Sequence, residues 1–159
     1  MPFDTYLKID GIDGESVHSD HKGEIEVIAF DWLLRRVSTS SFGGGGAGRP
    51  VLRDLTAITR LQSSGPALML SCASGKHIDK AVLTLRRTVQ EREFAFLKVT
   101  MEDILVSSYQ QAGSSGDSRP TDSMSLNFTK ITVEYKFQQA DGSIGETRST
   151  WDLKASKGG

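Results

Sequence analysis

The residues 42–50 read FGGGGAGRP, and Gly43 to Gly48 satisfy G-x-G-x-x-G, a spacing that lets a backbone approach a phosphate closely. A phosphate loop, however, must leave a buried strand and open a helix, because the helix N-terminus supplies amides and a dipole to the anion. Here Arg49 stands where that loop carries lysine, Pro50 has no hydroxyl for magnesium, and strand-like alternation follows. Nucleotide binding, with either P-loop or dinucleotide geometry, is therefore not expected. The soft metal ligands are His18, His21, His77 and the single cysteine, Cys72. Two histidines in a polar loop and a Cys/His pair straddling a helix end make no closed set, so no metal or cofactor is expected. No G-x-S-x-G occurs, and GSSGD at 113–117 reads as plain loop. Glu24 and Glu26 share one face of a strand as its solvated side. No catalytic residues are assigned.

Those side chains would have to be held by strands, because most segments repeat with period 2. FDTYLKID sets Phe3, Thr5, Leu7 and Ile9 against Asp4, Tyr6, Lys8 and Asp10. IEVIAFDWLL has two apolar faces, Ile25, Val27 and Ala29 opposite Ile28, Phe30, Trp32 and Leu34, and both want cover. Further strands are expected at 53–61, 80–89, 93–110, 125–139 and 144–154, the sixth with a bulge or bend near Thr129 where its apolar face switches. Asp141-Gly142 marks a hairpin between the last two. SSGPALMLSCASGKH has helix punctuation: Ser63 or Ser64 as N-cap, Pro66 in the first turn and Gly75 as the stop. Its inward face is expected to hold Leu68, Met69 and Cys72. STSSFGGGGAGRP and QAGSSGDSRPTDS read as long loops. The expected fold is mainly β: one domain over residues 1–159, an antiparallel barrel of two sheets flanked by a helix at about residues 64–74.

The chain balances 19 Lys and Arg against 20 Asp and Glu, so no electrostatic footprint favours nucleic acid or an anionic membrane. The N-terminus reads as no signal peptide and no apolar run is long enough to span a bilayer, so export by a signal-peptide route and membrane insertion are not expected. Cys72 has no intrachain partner and reads as a small buried hydrophobe.

Taken in order, FDTYLKIDGIDGES, IEVIAFDW, GGGGAG, SGPALMLSCASGKHIDKAVLTLRR, LVSSYQQAGSSGD, SLNFTKITVEYK and QADGSIGETRSTWDLK resemble one family along essentially the whole chain. It is the haemolysin-coregulated protein (Hcp) family, tube-forming components of the bacterial type VI secretion system. The resemblance implies a small β-barrel with one helix, homo-hexameric rings with a wide channel, and rings stacked into the inner tube that a contractile sheath drives out. It also implies sheath and spike proteins as partners, small effector proteins as cargo, a non-enzymatic role, and passage from bacterial cytoplasm to the cell exterior or a target cell. Under it Phe42, Gly43, Gly44, Gly45, Gly46, Ala47, Gly48 and Arg49 form a loop touching a neighbouring subunit or ring, and Ala29, Asp31 and Leu33 lie on a strand facing the channel or an interface. The family commonly has serine and glycine where Asp31 and Leu33 stand. A C-terminal toxic extension would define an enzymatic variant, and this chain runs directly from its last strand into KASKGG. The other alternative is a monomeric ligand-binding β-barrel, which would keep its interior open where Leu97, Val99, Met101, Ile131 and Val133 point.

Overall fold

A computed structural model describes residues 2–38, 47–89, 91–116 and 118–159. Twelve strands and one helix follow in the order β1 (Asp4–Ile9), β2 (Ile25–Val27), β3 (Ala29–Asp31), β4 (Leu34–Ser38), β5 (Ala47–Leu52), β6 (Leu55–Arg60), α1 (Gly65–Ser74), β7 (Ile78–Val89), β8 (Arg92–Ala112), β9 (Thr121–Asn127), β10 (Lys130–Gln138), β11 (Ile144–Asp152) and β12 (Lys157–Gly158). The first sheet runs β12-β11-β10-β8-β7-β1-β2, the second β3-β6-β9-β8, and β4 pairs only with β5. Every ladder is antiparallel. Two sheets sharing β8 thus fold over one core, as expected, but the ladder does not close. Its open ends, β2 and β3, are joined by the chain itself at Ile28, whose N–H donates to Ile58 O at 2.8 Å.

Three corners carry the chain between sheets. β8 ladders with β7 and β10 up to Ile104 and Glu102, turns at Asp103 (φ 59°), and ladders with β9 from Leu105 onward. The expected single strand 125–139 is two, β9 in the second sheet and β10 in the first, divided at Phe128 and Thr129 where a bend was anticipated. Phe128 is buried in that corner. Ile28 is the third. Because the strand turns there, Ile25 and Val27 are buried while Ala29 is exposed, which corrects the expectation that all three share a face. Phe30 and Trp32 do pack against the core.

On β1, Thr5, Leu7 and Ile9 point inward as their alternation predicts, but Phe3 is exposed. Tyr6, placed on the polar face, is buried too because the β1–β2 loop folds over it and His21 stacks on its ring at 4.5 Å. The β10–β11 hairpin pairs Gln138 with Ile144 through Lys130 with Asp152, and Gly142 (φ 87°) takes the left-handed conformation its turn requires.

Helix α1 keeps its anticipated limits: Pro66 lies in the first turn, and Gly75 (φ 67°) ends the helix with its N–H on Ser71 O. Ser64 occupies the N-cap without a side-chain cap bond. Its buried residues are Gly65, Leu68 and Ser71, with Cys72 half-buried against the core, whereas Met69 points to solvent at 56% exposure, against expectation. The interior is packed. Val99 and Met101 are fully buried, Ile131 nearly so, and Leu97 and Val133 pack against them, filling the space a ligand-binding barrel would leave open.

Candidate assembly surface

The groups with chemical potential are held apart and engaged structurally. His18 donates from Nε2 to Glu93 Oε1 at 2.7 Å while its Nδ1 accepts the Asp20 N–H at 3.1 Å. His21 lies in the β1–β2 loop, as expected, but its side chain is buried. Its Nδ1 donates to Glu24 Oε2 at 2.9 Å, and its Nε2 accepts from Arg86 at 3.3 Å. Arg86 also binds Glu93 and Asp20. Hydrogen bonds from His18 and Arg86 hold the Glu93 carboxyl below the usual range. With every ring nitrogen of this pair occupied by a protein group, the cluster locks the β1–β2 loop onto the β7–β8 hairpin. His77 bonds Asp103 at a strand corner, and Cys72 packs beside the core. Glu26 stays exposed on β2, and residues 113–116 of GSSGD form loop, with Asp117 outside the described residues. Among the described residues no group of three or more His, Cys, Asp and Glu is placed to hold a metal ion.

The surfaces that remain suit contact with other proteins. On the outer face of the second sheet, cross-strand pairing lines up Asp31, Thr56, Ser125 and Ser108 in one row and Ala29, Ile58, Ser123 and Gln110 in the next. Thr56 and Ser125 are hydrogen-bonded through their hydroxyls at 3.1 Å. Asp31 is exposed, and its carboxylate makes no hydrogen bond or ion pair among the described residues. Most of this face is short hydroxyl and amide side chains, with Ile58 and Leu105 as exposed apolar points. Leu33, 44% exposed, lies just past β3, and its carbonyl accepts from Arg53 N–H at 2.8 Å.

The second surface is the β4–β5 hairpin. It corrects the reading of 38–50 as a loop: Ala47, Gly48 and Arg49 are part of β5, and Ser38 pairs with Ala47 across a register shift. Phe42, Gly43, Gly44, Gly45 and Gly46 lie outside the described residues. Likewise the second expected loop is shorter, since β8 runs to Ala112 and β9 starts at Thr121. The base of the hairpin overhangs β10 and β11, leaving a groove of about 340 Å³ lined by Trp32, Leu34, Pro50, Ile131, Val133 and Trp151. Sequence reasoning did not anticipate this groove. Its walls come from four separated segments, and only the apolar second face of IEVIAFDWLL hinted at it.

The described residues thus form two packed β-sheets sharing one long strand, with one flanking helix and a β4–β5 hairpin that ladders with neither sheet. The family described as "Type VI secretion system effector, Hcp" matches residues 6–135, and protein hcp1 of Pseudomonas aeruginosa is 36% identical over 157 residues, 97% of each chain. The chain belongs to the Hcp family of type VI secretion system proteins. Two solved structures are similar over nearly their whole length. Hcp1 from Salmonella typhimurium is 34% identical with a TM-score of 0.83, covering 99% of both chains. A structure described as a type six secretion system protein is 28% identical with a TM-score of 0.90, covering 99% of this chain and 100% of that one. Hcp proteins are secreted proteins of the type VI system. No helix of the described residues is long and apolar enough to cross a membrane.

Proposed function

We propose that this chain is the subunit of a type VI inner tube: a homo-hexameric ring that stacks on copies of itself, engages sheath and spike proteins, and carries small effector proteins in its channel. It is made in the bacterial cytoplasm and leaves with the tube. The observation that carries this reading is the pairing of full-length Hcp kinship with a β4–β5 hairpin that forms a sheet of its own, outside the ladders of the packed body. A head-to-tail ring needs two different surfaces on each subunit. The hairpin with its apolar groove and the outer face of the second sheet are two such surfaces.

In this reading the segment from Phe42 to Arg49 touches the next subunit or ring, and Ala29, Asp31 and Leu33 face the channel or an interface. A channel wall of short hydroxyls grips nothing strongly, so the unpaired Asp31 carboxylate, repeated once per subunit, sets the charge that cargo meets. Light scattering and negative-stain imaging of the purified protein test the assembly. Rings are expected, and a monodisperse monomer across a wide concentration range overturns it. Deleting Gly43 to Gly46 is expected to reduce stacking while rings persist; unchanged tube formation removes the hairpin from this role.

A further inference from the structure

Asp122 is the one carboxylate wholly enclosed among the described residues, at 0% exposure on β9. It faces inward at the end of the second sheet, paired in register with Thr59 on β6 and Gln111 on β8, where the N-terminus of α1 closes the fold. Around it converge Gly65, Tyr109 and Gln111. A Cβ built on Gly65 would lie 2.7 Å from the Tyr109 hydroxyl, 3.3 Å from Asp122 Oδ2 and 3.7 Å from Gln111 Nε2. Tyr109 accepts a hydrogen bond from Gln111 at 2.9 Å. Neither oxygen of Asp122, nor Ser64 Oγ, has a well-formed hydrogen bond to protein.

We propose that Asp122 is held as the neutral carboxylic acid in the folded chain, and that its ionisation loosens the seam between α1 and the β8–β9 end of the second sheet. The groups facing it are uncharged. On β8 they are Tyr109 and Gln111, on β6 Thr59, whose hydroxyl donates to Arg60 O at 3.1 Å, and on α1 Gly65. Two cations on neighbouring segments are turned or committed elsewhere. Arg60, next to Thr59 on the strand, points to the outer face, and Arg119 donates to Leu61 O at 2.6 Å and pairs with Glu15, which in turn accepts the Ser63 N–H.

A helix N-terminus stabilises an anion through free first-turn amides. Here Gly65 N–H donates to Gln62 O, Leu68 N–H donates to Ser64 O, and Pro66 has none, so the start of this helix offers a bare carboxylate little of that stabilisation. Burial pushes the Asp122 carboxyl up; the Tyr109 hydroxyl, Gln111 amide and Gln62 N–H pull it down without overcoming burial. Burial likewise pushes the Tyr109 phenol up. A folded-state value raised above the unfolded one means stability is full in acid and lost as pH rises through the folded value.

The test uses the full chain. Urea midpoints of the wild type and Asp122→Asn are measured at several pH values from 5 to 9, at one protein concentration. The wild type is expected to lose stability relative to the variant as pH rises, with the variant the more stable at the alkaline end. A difference between them that does not change with pH overturns the proposal. Should the variant not fold, the carboxyl carbon of Asp122 in the wild type is followed by NMR. A neutral-acid resonance persisting above the ordinary aspartate range supports the proposal, and a carboxylate resonance from pH 5 upward refutes it. Exchange of α1 amides is expected to accelerate with pH beyond its intrinsic base catalysis in the wild type only.

Discussion

Gly65→Ala tests the tightest contact of α1 with the sheets. A methyl group there would sit 2.7 Å from the Tyr109 hydroxyl, where ordinary contact begins at 3.4 Å, so something must move by roughly 0.7 Å. Tyr109 is half-buried against the core, and its ring cannot swing away freely. Overpacking of this kind costs about 1–3 kcal/mol. Replacing glycine also removes backbone freedom from the unfolded chain, which returns about 0.4–1 kcal/mol. The net expected loss is therefore about 1–2 kcal/mol, read from urea unfolding at fixed protein concentration, since assembly would otherwise shift the apparent value. Tyr109→Phe deletes the offending oxygen and leaves the ring. If the hydroxyl is the obstacle, Gly65→Ala in that background should cost at least about 1 kcal/mol less than in the wild type, a coupling beyond the error of additivity. Additive effects, or a stabilised single variant, would refute the steric account.

Two further perturbations address the corners. Phe128→Ala removes a side chain 3% exposed at the point where β9 crosses to β10, and should cost about 3–5 kcal/mol, measured as a lower urea midpoint with unchanged cooperativity. Asp103→Asn acts through pH. Hydrogen bonds from Lys154 (2.6 Å), Thr129 (2.7 Å) and His77 hold the Asp103 carboxyl far below its ordinary 3.8. A depressed value means its contribution is complete above the ordinary range and lost as pH falls, so the wild type should exceed the variant at pH 7 and converge on it in acid. A gap that stays constant as pH falls from 7 to well below the ordinary aspartate value would show that the ion pair is not the source.

How far the sequence foretold the fold depended on the range of the force involved. Gly75 and Pro66 delimit α1, and Asp141-Gly142 makes the last hairpin, because each acts through its own backbone angles. Period-2 alternation found the strands for the same reason. It could not say where a strand leaves one sheet for the other, since that depends on partners far along the chain. Hence Ala29 was assigned to the face of Ile25 and Val27, although the turn at Ile28 rotates it outward. Met69 was placed inside because i, i+1, i+4 spacing permits it, but the close approach of Gly65 to Tyr109 and Asp122 rolls α1 so that Leu68 and Ser71 face in. Asp122 read as loop because its neighbours are Ser, Thr and Pro. Only its pairing with Thr59 and Gln111 reveals a buried strand position.

In the proposed assembly, the contact surfaces and the core of this chain are separate except at one place. Large core side chains such as Leu7, Met101, Met124 and Leu126 belong to the ten-stranded network, while the hairpin of β4 and β5 shares no ladder with it. Asp31 and Ser108, at the two ends of the row, are exposed on the outer face, where substitution disturbs no buried side chain. Under the proposed assembly, such a chain can alter what it touches without losing what holds it together, because surface changes away from buried contacts shift stability by only about 0.5 kcal/mol. The groove beneath the hairpin is where the two meet. Ile131 and Val133 line it and also pack into the core, so a contact made there by a second copy would brace β10, and through the Phe128 corner both sheets at once. Assembly would then stiffen the subunit most at β10 and at the corner that leads from it to the second sheet.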